Sequence, residues 1–392
     1  MREIKFDCRR FAGDRPCTPH KETGIHCSQC RSYDPIDKKI LVIKLGAIGD
    51  VLRTTCILPA LKNKYPRARI TWITRSESLP LFLCNDYVDW AIDLSEAFSV
   101  LSVEKFDLVI NLDASGLSSR LATLARAPQK LGFVYHEDGY VYPANPQADC
   151  WFELGLFDDL KRQNRKTYQQ IIFEICGLTF DLKYLPVLNL TEQEKHLADN
   201  FARDHNLKGN LLVGFNTGAG GRWKNKKWPA DCFLQLAQLI MRHIPDCRIL
   251  LYGGPEERHR NRYLTEKLPQ LIDTGCDNTL RTFCSLVGLC DLLVTGDTLA
   301  LHIAVALKKR IAALFGPTSH TEIELYGKGT KICSDLDCLC CYKWDCDSRP
   351  NCMDSITVQQ VFSAITNLLH RDTIQASVVG PTKPESELVV AR

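Results

Sequence analysis

Three features of this 392-residue chain predict an α/β fold in two halves, each a parallel sheet with helices on both faces. A chain of this length suits two domains, with room for small additions. Short apolar runs rich in β-branched residues alternate with helical patterns, which is the signature of βαβ units. The pattern starts at Lys39 and starts again at Leu211, and polar or glycine-bearing loops follow its strands.

The first unit, Lys39–Tyr65, sets the plan. Ile40–Ile43 reads as a buried strand, and the small residues Leu45-Gly46-Ala47-Ile48-Gly49 read as a turn able to approach a ligand closely. Asp50 follows. Apolar Val51, Leu52, Ile57, Leu58 and Leu61, with Lys62 and Lys64 at the end, read as one amphipathic helix. Asp50 has two compatible readings. It can cap orphan N–H groups at the helix start. It can also act as a general base, because ligands of open α/β sheets bind at the carboxyl ends of strands. The G-x-x-G-D spacing is not that of a dinucleotide fingerprint.

Further strands are expected at Arg69–Thr74, Trp90–Leu94 and Leu108–Leu112. The last ends in Asp113-Ala114-Ser115-Gly116, and Ser118, Ser119 and Arg120 open a helix. This loop either lines the same cleft as Gly49, through Asp113 and Ser115, or is an ordinary cap. Residues 134–150 read as an irregular excursion. Helices are expected over Arg165–Leu178 and Glu192–His205, the second leading to the interdomain link.

In the second half, Leu211–Phe215 is a strand and Asn216–Arg222 a glycine-rich loop. Lys224, Lys226 and Lys227 precede Pro229, which suits the first turn of a helix over Ala230–Ile244. Strands Arg248–Tyr252, Leu292–Thr295 and Arg310–Phe315 end in Gly253-Gly254-Pro255-Glu256-Glu257, Gly296-Asp297-Thr298 and Gly316-Pro317-Thr318. A helix over Leu299–Leu307 carries His302. Polar loops and helix starts repeated at strand ends, with lysines nearby, point to a phosphate-bearing nucleotide ligand.

Composition is that of a globular protein, 45% hydrophobic and 24% charged. A net charge of +3 gives no basic footprint for nucleic acid. No apolar run reaches the roughly 18 residues that span a bilayer. The N-terminus has no apolar signal core, so a cytoplasmic location is expected.

Nineteen cysteines are then unusual, and in a reducing compartment they argue for metal or redox chemistry. Cys8, Cys17, Cys27 and Cys30 fit one tetrahedral site, zinc by default, with an iron–sulfur cluster open and His20 and His26 as spare ligands. In the second cluster, Cys338, Cys341, Cys346 and Cys352 are the chosen ligands and Cys340 the odd one out. Nine others, Cys56, Cys176 and Cys290 among them, read as small buried hydrophobes.

The segments KLGAIGDVLRTTCILPALKNKYP, NTGAGGRWKNKKWP, YGGPEE and TGDTLALHIAVALKKRIAALFGPT, in that order, resemble glycosyltransferase family 9, the ADP-heptose:lipopolysaccharide heptosyltransferases. The likeness covers about residues 39–370. It implies the GT-B fold, with two Rossmann-like domains facing a cleft, and metal-independent transfer with inversion of the anomeric centre. It implies that Asp50 is the catalytic base and Lys226 a phosphate-binding lysine with Thr217 beside it. It also implies that Glu256 faces the nucleoside, and that Asp297, Thr298 and nearby His302 lie in the diphosphate and sugar region. Asp297 is read as a ligand of sugar hydroxyls, since Lys226 and the helix start already neutralise phosphate.

Leu299-Ala300 depart from the family's usual residues after Asp-Thr, and the cysteine clusters are absent from its best-known members. A related subgroup, the bacterial autotransporter heptosyltransferases, carries a C-terminal cysteine iron finger. The acceptor therefore stays open between lipopolysaccharide core and protein. A metal- or redox-responsive nucleotide-binding protein is the reading from another class. A lipid-linked acceptor implies peripheral contact with the inner membrane face.

The expected segments are residues 1–38 (metal-binding), 39–205 (acceptor domain), 206–330 (nucleotide-sugar domain), 331–355 (second cysteine loop), 356–372 (helix) and 373–392 (disordered tail).

Overall fold

The computed structural model describes residues 3–221, 224–343 and 345–378. The first sheet comprises β1 (Lys38–Ile43), β2 (Ala68–Thr74), β3 (Trp90–Asp93), β4 (Leu108–Asn111), β5 (Gln129–Tyr135) and β6 (Val141–Pro143). The second comprises β7 (Leu211–Asn216), β8 (Cys247–Tyr252), β9 (Ile272–Asp273), β10 (Leu292–Gly296), β11 (Arg310–Phe315) and β12 (Gly329–Cys333). Strand order is β3-β2-β1-β4-β5-β6 in one and β12-β11-β10-β7-β8-β9 in the other. Every pairing is parallel except β5 with β6. Numbered within its own half, each sheet runs 3-2-1-4-5-6, the doubly wound arrangement. Its order reverses between β1 and β4, and again between β7 and β10.

The central strands are covered on both faces, so they read as unbroken apolar runs. Ile40, Leu41, Val42 and Ile43 are all fully buried. The helix expected after β1 is two helices, Ile48–Thr54 and Ile57–Lys64. Pro59 explains the break, since it has no N–H to return to the Thr55 carbonyl. That carbonyl instead accepts from Leu58 N at 3.0 Å, and the Thr55 hydroxyl accepts from Val187 N at 2.7 Å.

Part of the excursion at 134–150 is ordered as the β5–β6 hairpin, which closes the sheet edge with the one antiparallel pair. β12 runs across the expected boundary at 330. The last helix, Val358–Val378, extends six residues into the segment expected to be disordered; the rest of that tail lies outside the described residues. This helix belongs to the second core. Val361, Ile365 and Leu368 pack there with Met353 and Ile356, and Trp228 Nε1 donates to the Ile356 carbonyl at 2.9 Å. Among the nine scattered cysteines, Cys84 and Cys150 are exposed and Cys232 is half-buried, so only the other six are the small buried hydrophobes expected of the group.

The N-terminal segment caps the amino ends of the first sheet's strands. Arg9 donates to the Ala68 carbonyl at 2.9 Å and pairs with Asp34 and Asp89. That is the end opposite Asp50.

Gly132 on β5 has φ +87°, and a Cβ there would lie 1.8 Å from the Asn111 carbonyl oxygen on β4. Gly132→Ala is expected to destabilise the protein by more than about 2 kcal/mol, read as a lower urea midpoint at unchanged slope.

Candidate active site

The two points of strand reversal face each other. The Ile48–Thr54 helix follows the β1 loop, the Leu299–Ala306 helix follows β10, and the two pack together. A Cβ on Gly49 would stand 2.8 Å from His302 Cδ2 and 3.5 Å from Leu299 Cα. Glycine is what lets the helices approach this closely.

On the first side, Asp50 lies in the first helical turn and keeps 35% of its side chain exposed. One carboxylate oxygen accepts from Ala47 N at 3.2 Å, and the other meets Arg53 Nη2 at 2.8 Å. Asp50 is thus both a cap and a group open to the cleft. Burial disfavours its charge, but Arg53, then Lys44 and His302, outweigh that and hold its carboxyl below the ordinary range. Lys44, at the end of β1, lies 3.7 Å from Asp113. Asp113 also accepts from Leu45 N at 3.0 Å, so it fixes the loop that carries Asp50. The Ser115 hydroxyl caps the next helix, accepting from Ser118 N at 3.2 Å.

On the second side, Lys226 Nζ lies 2.8 Å from Asp297 Oδ2, which also accepts from the Thr318 hydroxyl at 2.9 Å. Burial opposes the Asp297 charge, yet Lys226 first, then His302, carry its carboxyl down to about 2. Thr298 is the N-cap residue of the Leu299–Ala306 helix; its hydroxyl accepts from Asn216 Nδ2 at 3.2 Å and lies 3.0 Å from that of Thr295. His302 stands between the two carboxylates. Burial, reinforced by Arg53, lowers its imidazole to about 4, so it is neutral at physiological pH.

Beside this cluster lies a cavity of about 430 Å³ with walls from both halves: Ile48 from the first, and Asn216, Glu257, Asn278, Phe283 and Leu299 among those from the second. Two expected residues sit differently. Thr217 is buried and donates to Asn261 Oδ1 at 2.6 Å, so its hydroxyl is turned into the domain, and its neighbour Asn216 lines the cavity. Glu256 is exposed, and Glu257 is the acid in the cavity wall, paired with Lys227 at 3.0 Å. The tight packing of Glu257 under the loop explains Gly218, whose Cβ would fall 2.0 Å from the Glu257 carboxyl carbon. Asn278 and Phe283 escaped the sequence reading because they follow β9, only two residues long, where no strand pattern could register.

The second cysteine loop abuts the site. Tyr342 N donates to the Pro317 carbonyl at 2.9 Å, Cys340 N donates to that of Gly316 at 3.3 Å, and the Tyr342 hydroxyl donates to Glu322 at 3.3 Å. The Cys340 thiol faces the Thr318 carbonyl at 3.6 Å. Burial raises the Cys352 thiol to about 11, helped by neighbouring Cys341, Cys338 and Cys346. At the other end, Cys8, Cys17, Cys27 and Cys30 border one cavity of about 30 Å³. As the side chains stand, no group of three or more His, Cys, Asp or Glu among the described residues is placed to hold a metal ion.

The sequence profile of glycosyltransferase family 9 (heptosyltransferase) matches residues 98–350. The chain belongs to that family. It is a glycosyltransferase of GT-B architecture. It is similar to lipooligosaccharide heptosyltransferase 2 of Haemophilus influenzae, 23% identical over 308 residues covering 71% of this chain and 84% of that protein. In structure it is similar to the family 9 glycosyltransferase of Veillonella parvula, with TM-score 0.67, 22% identity and coverage of 86% and 98% of the two chains. It is also similar to the E. coli ADP-heptose LPS heptosyltransferase II, with TM-score 0.61, 20% identity and coverage of 86% and 99%.

His302 supplies a pH test of this family 9 site. Its folded-state value lies below that of an unfolded histidine, so acid protonates the unfolded chain first, and stability is lost as pH falls from about 6.5 toward 4. Relative to His302→Gln, the wild type should lose up to about 2 kcal/mol between pH 7 and pH 5, measured by urea unfolding at each pH.

Proposed function

We propose that this glycosyltransferase moves a heptose from an ADP-heptose donor to a hydroxyl of lipopolysaccharide core, with inversion and with Asp50 as general base. The single observation that carries the reading is the facing of the two strand-reversal points, with Asp50 on one and Lys226, Asp297 and Thr298 on the other. The names of the relatives supply the donor and the acceptor class.

In this mechanism the acceptor oxygen attacks the anomeric carbon and its proton passes to Asp50, while the bond from that carbon to the ADP phosphate breaks. Lys226 and the helix start at Thr298 meet the charge that develops on the leaving diphosphate. Asp297 competes for Lys226 in this structure, so the donor would share that ammonium with it, leaving the carboxylate to receive sugar hydroxyls. The cavity walled by Phe283, Leu299 and Asn278 suits a nucleoside, apolar on its faces with a few polar groups at its edge. Asp50 is a weak base because Arg53 holds it ionised, so positioning carries much of the rate. Close packing of the two halves limits water at the reacting centre.

Contact with a membrane surface is part of the same reading. Among the described residues no helix is long and apolar enough to cross a membrane. Large exposed apolar side chains nonetheless gather on the first half, with Phe98, Val103, Leu124 and Phe157 each more than half exposed.

A structural metal, zinc or iron, is assigned to Cys8, Cys17, Cys27 and Cys30 and to Cys338, Cys341, Cys346 and Cys352. Support comes from the cavity shared by the first four; of the second four, Cys341, Cys338 and Cys346 each lie near enough to Cys352 to act on its thiol electrostatically. Binding would have to draw the thiols inward.

Asp50→Ala should keep ADP affinity and lower turnover at least about 100-fold, measured as ADP release from ADP-heptose with core acceptors. A near-normal rate removes Asp50 from its role, and release with peptide acceptors alone replaces the acceptor. For the metal, elemental analysis of protein purified without chelator should show about one equivalent lost in Cys27→Ser/Cys30→Ser, with a lower Tm. Metal-free wild-type protein would refute the assignment.

A further inference from the structure

Arg53 lies one helical turn beyond Asp50, so the helix itself brings the two side chains together. Its side chain is 11% exposed, an unusual degree of burial for arginine. Burying a guanidinium is costly unless its charge is met, and here three groups meet it. Asp50 takes Nη2 at 2.8 Å. The Tyr168 ring lies under the guanidinium, 3.8 Å from its carbon to the ring centroid. Glu322 adds a favourable field from the second half.

Tyr168 is itself fixed. It is buried, its hydroxyl lies 2.7 Å from that of Thr54, and Thr54 in turn donates to the Asp50 carbonyl at 2.6 Å. Tyr168 N donates to the Glu322 carbonyl at 2.9 Å, which ties this support to the second half. The guanidinium is therefore held between a rigid ring and the Asp50 carboxylate. Its Nε is buried with no hydrogen-bond partner, so the Asp50 contact and the ring set its orientation.

We propose that Arg53 is a positioning residue for the transfer: clamped on the Tyr168 ring, it fixes the Asp50 carboxylate in one orientation and keeps it ionised to receive the acceptor's proton. The proposal rests on Asp50 being the base. The other groups facing Asp50 are Lys44 on β1, His302 on the Leu299–Ala306 helix and Asp297 after β10. Facing Arg53, besides Asp50, are Tyr168, Glu322, Asp297, Lys44 and His302. Lys44 is tied to Asp113 and His302 is neutral, so neither replaces the contact that Arg53 makes.

The sign follows directly. Without the Arg53 charge the Asp50 carboxylate ionises less readily, and activity that needs the ionised form begins at higher pH.

The experiment measures kcat and kcat/KM for ADP-heptose against pH in wild type, Arg53→Met, Arg53→Lys, Asp50→Asn and the Asp50→Asn/Arg53→Met double variant. ADP affinity and Tm are recorded for each. In Arg53→Met the acid limb should move to higher pH, and kcat at pH 7 should fall about 10-fold or more with ADP affinity kept. Arg53→Lys should restore the limb but not the full kcat, because lysine keeps the charge without the planar stack. The double variant should be no slower than Asp50→Asn, since Arg53 acts through Asp50.

An unmoved acid limb in Arg53→Met, or losses that multiply in the double variant, overturns the proposal while leaving Asp50 as the base. Full activity in Asp50→Asn overturns the reading on which it rests. If Arg53→Met does not fold, the limb and kcat of Arg53→Lys decide: a normal kcat in that variant refutes the positioning role.

Discussion

The close approach of two helix starts is the constraint on which the site depends. The Ile48–Thr54 helix can lie against the Leu299–Ala306 helix only because Gly49 presents no side chain to His302. Each helix follows the central strand of a doubly wound sheet at the point where strand order reverses. Loops splay apart there and leave a crevice, so the contact sets one crevice against the other. Widening it by one methyl group would move Asp50 away from the Lys226–Asp297 pair, although none of these three would have changed.

Electrostatics within this contact follow a consistent plan. Two carboxylates are each held ionised by one cation, Asp50 by Arg53 and Asp297 by Lys226. Burial and the nearby Arg53 guanidinium make a charge on His302 costly, and the ring carries none at neutral pH. The nitrogens of the neutral ring keep one donor and one acceptor for a ligand. The arrangement suits a reaction in which a proton arrives on one side while negative charge develops on the other.

The two cysteine-rich segments differ in how they meet the site. The N-terminal one seals the amino ends of the first sheet's strands through Arg9, far from Asp50. The second packs beneath Gly316–Ser319, and Thr318 in that loop donates to Asp297. A Cβ on Gly316 would meet the Cys352 sulfur at 2.6 Å, so this packing is tight. The second segment thus bears on the site through Thr318 and Tyr342, and the first meets only the strand ends of the first sheet, away from it.

The sequence alone determined the architecture, because a parallel strand buried on both faces must be an unbroken apolar run, and a helix start after it must carry polar or small residues. Ile40–Ile43 with Gly49-Asp50, and Leu292–Gly296 with Asp297-Thr298, carry that information locally. Family motifs then pointed to Asp50, Lys226 and Asp297. Tertiary structure decided which neighbour faces the cavity: Asn216 rather than Thr217, Glu257 rather than Glu256. A one-residue choice at the end of a strand turns on where the next element packs, and the residues on either side are chemically alike. It also decided that Arg53 is buried on Tyr168, more than a hundred positions away. No local pattern encodes that contact, since its energy arises only when the Tyr168–Ile175 helix closes over the first turn after β1.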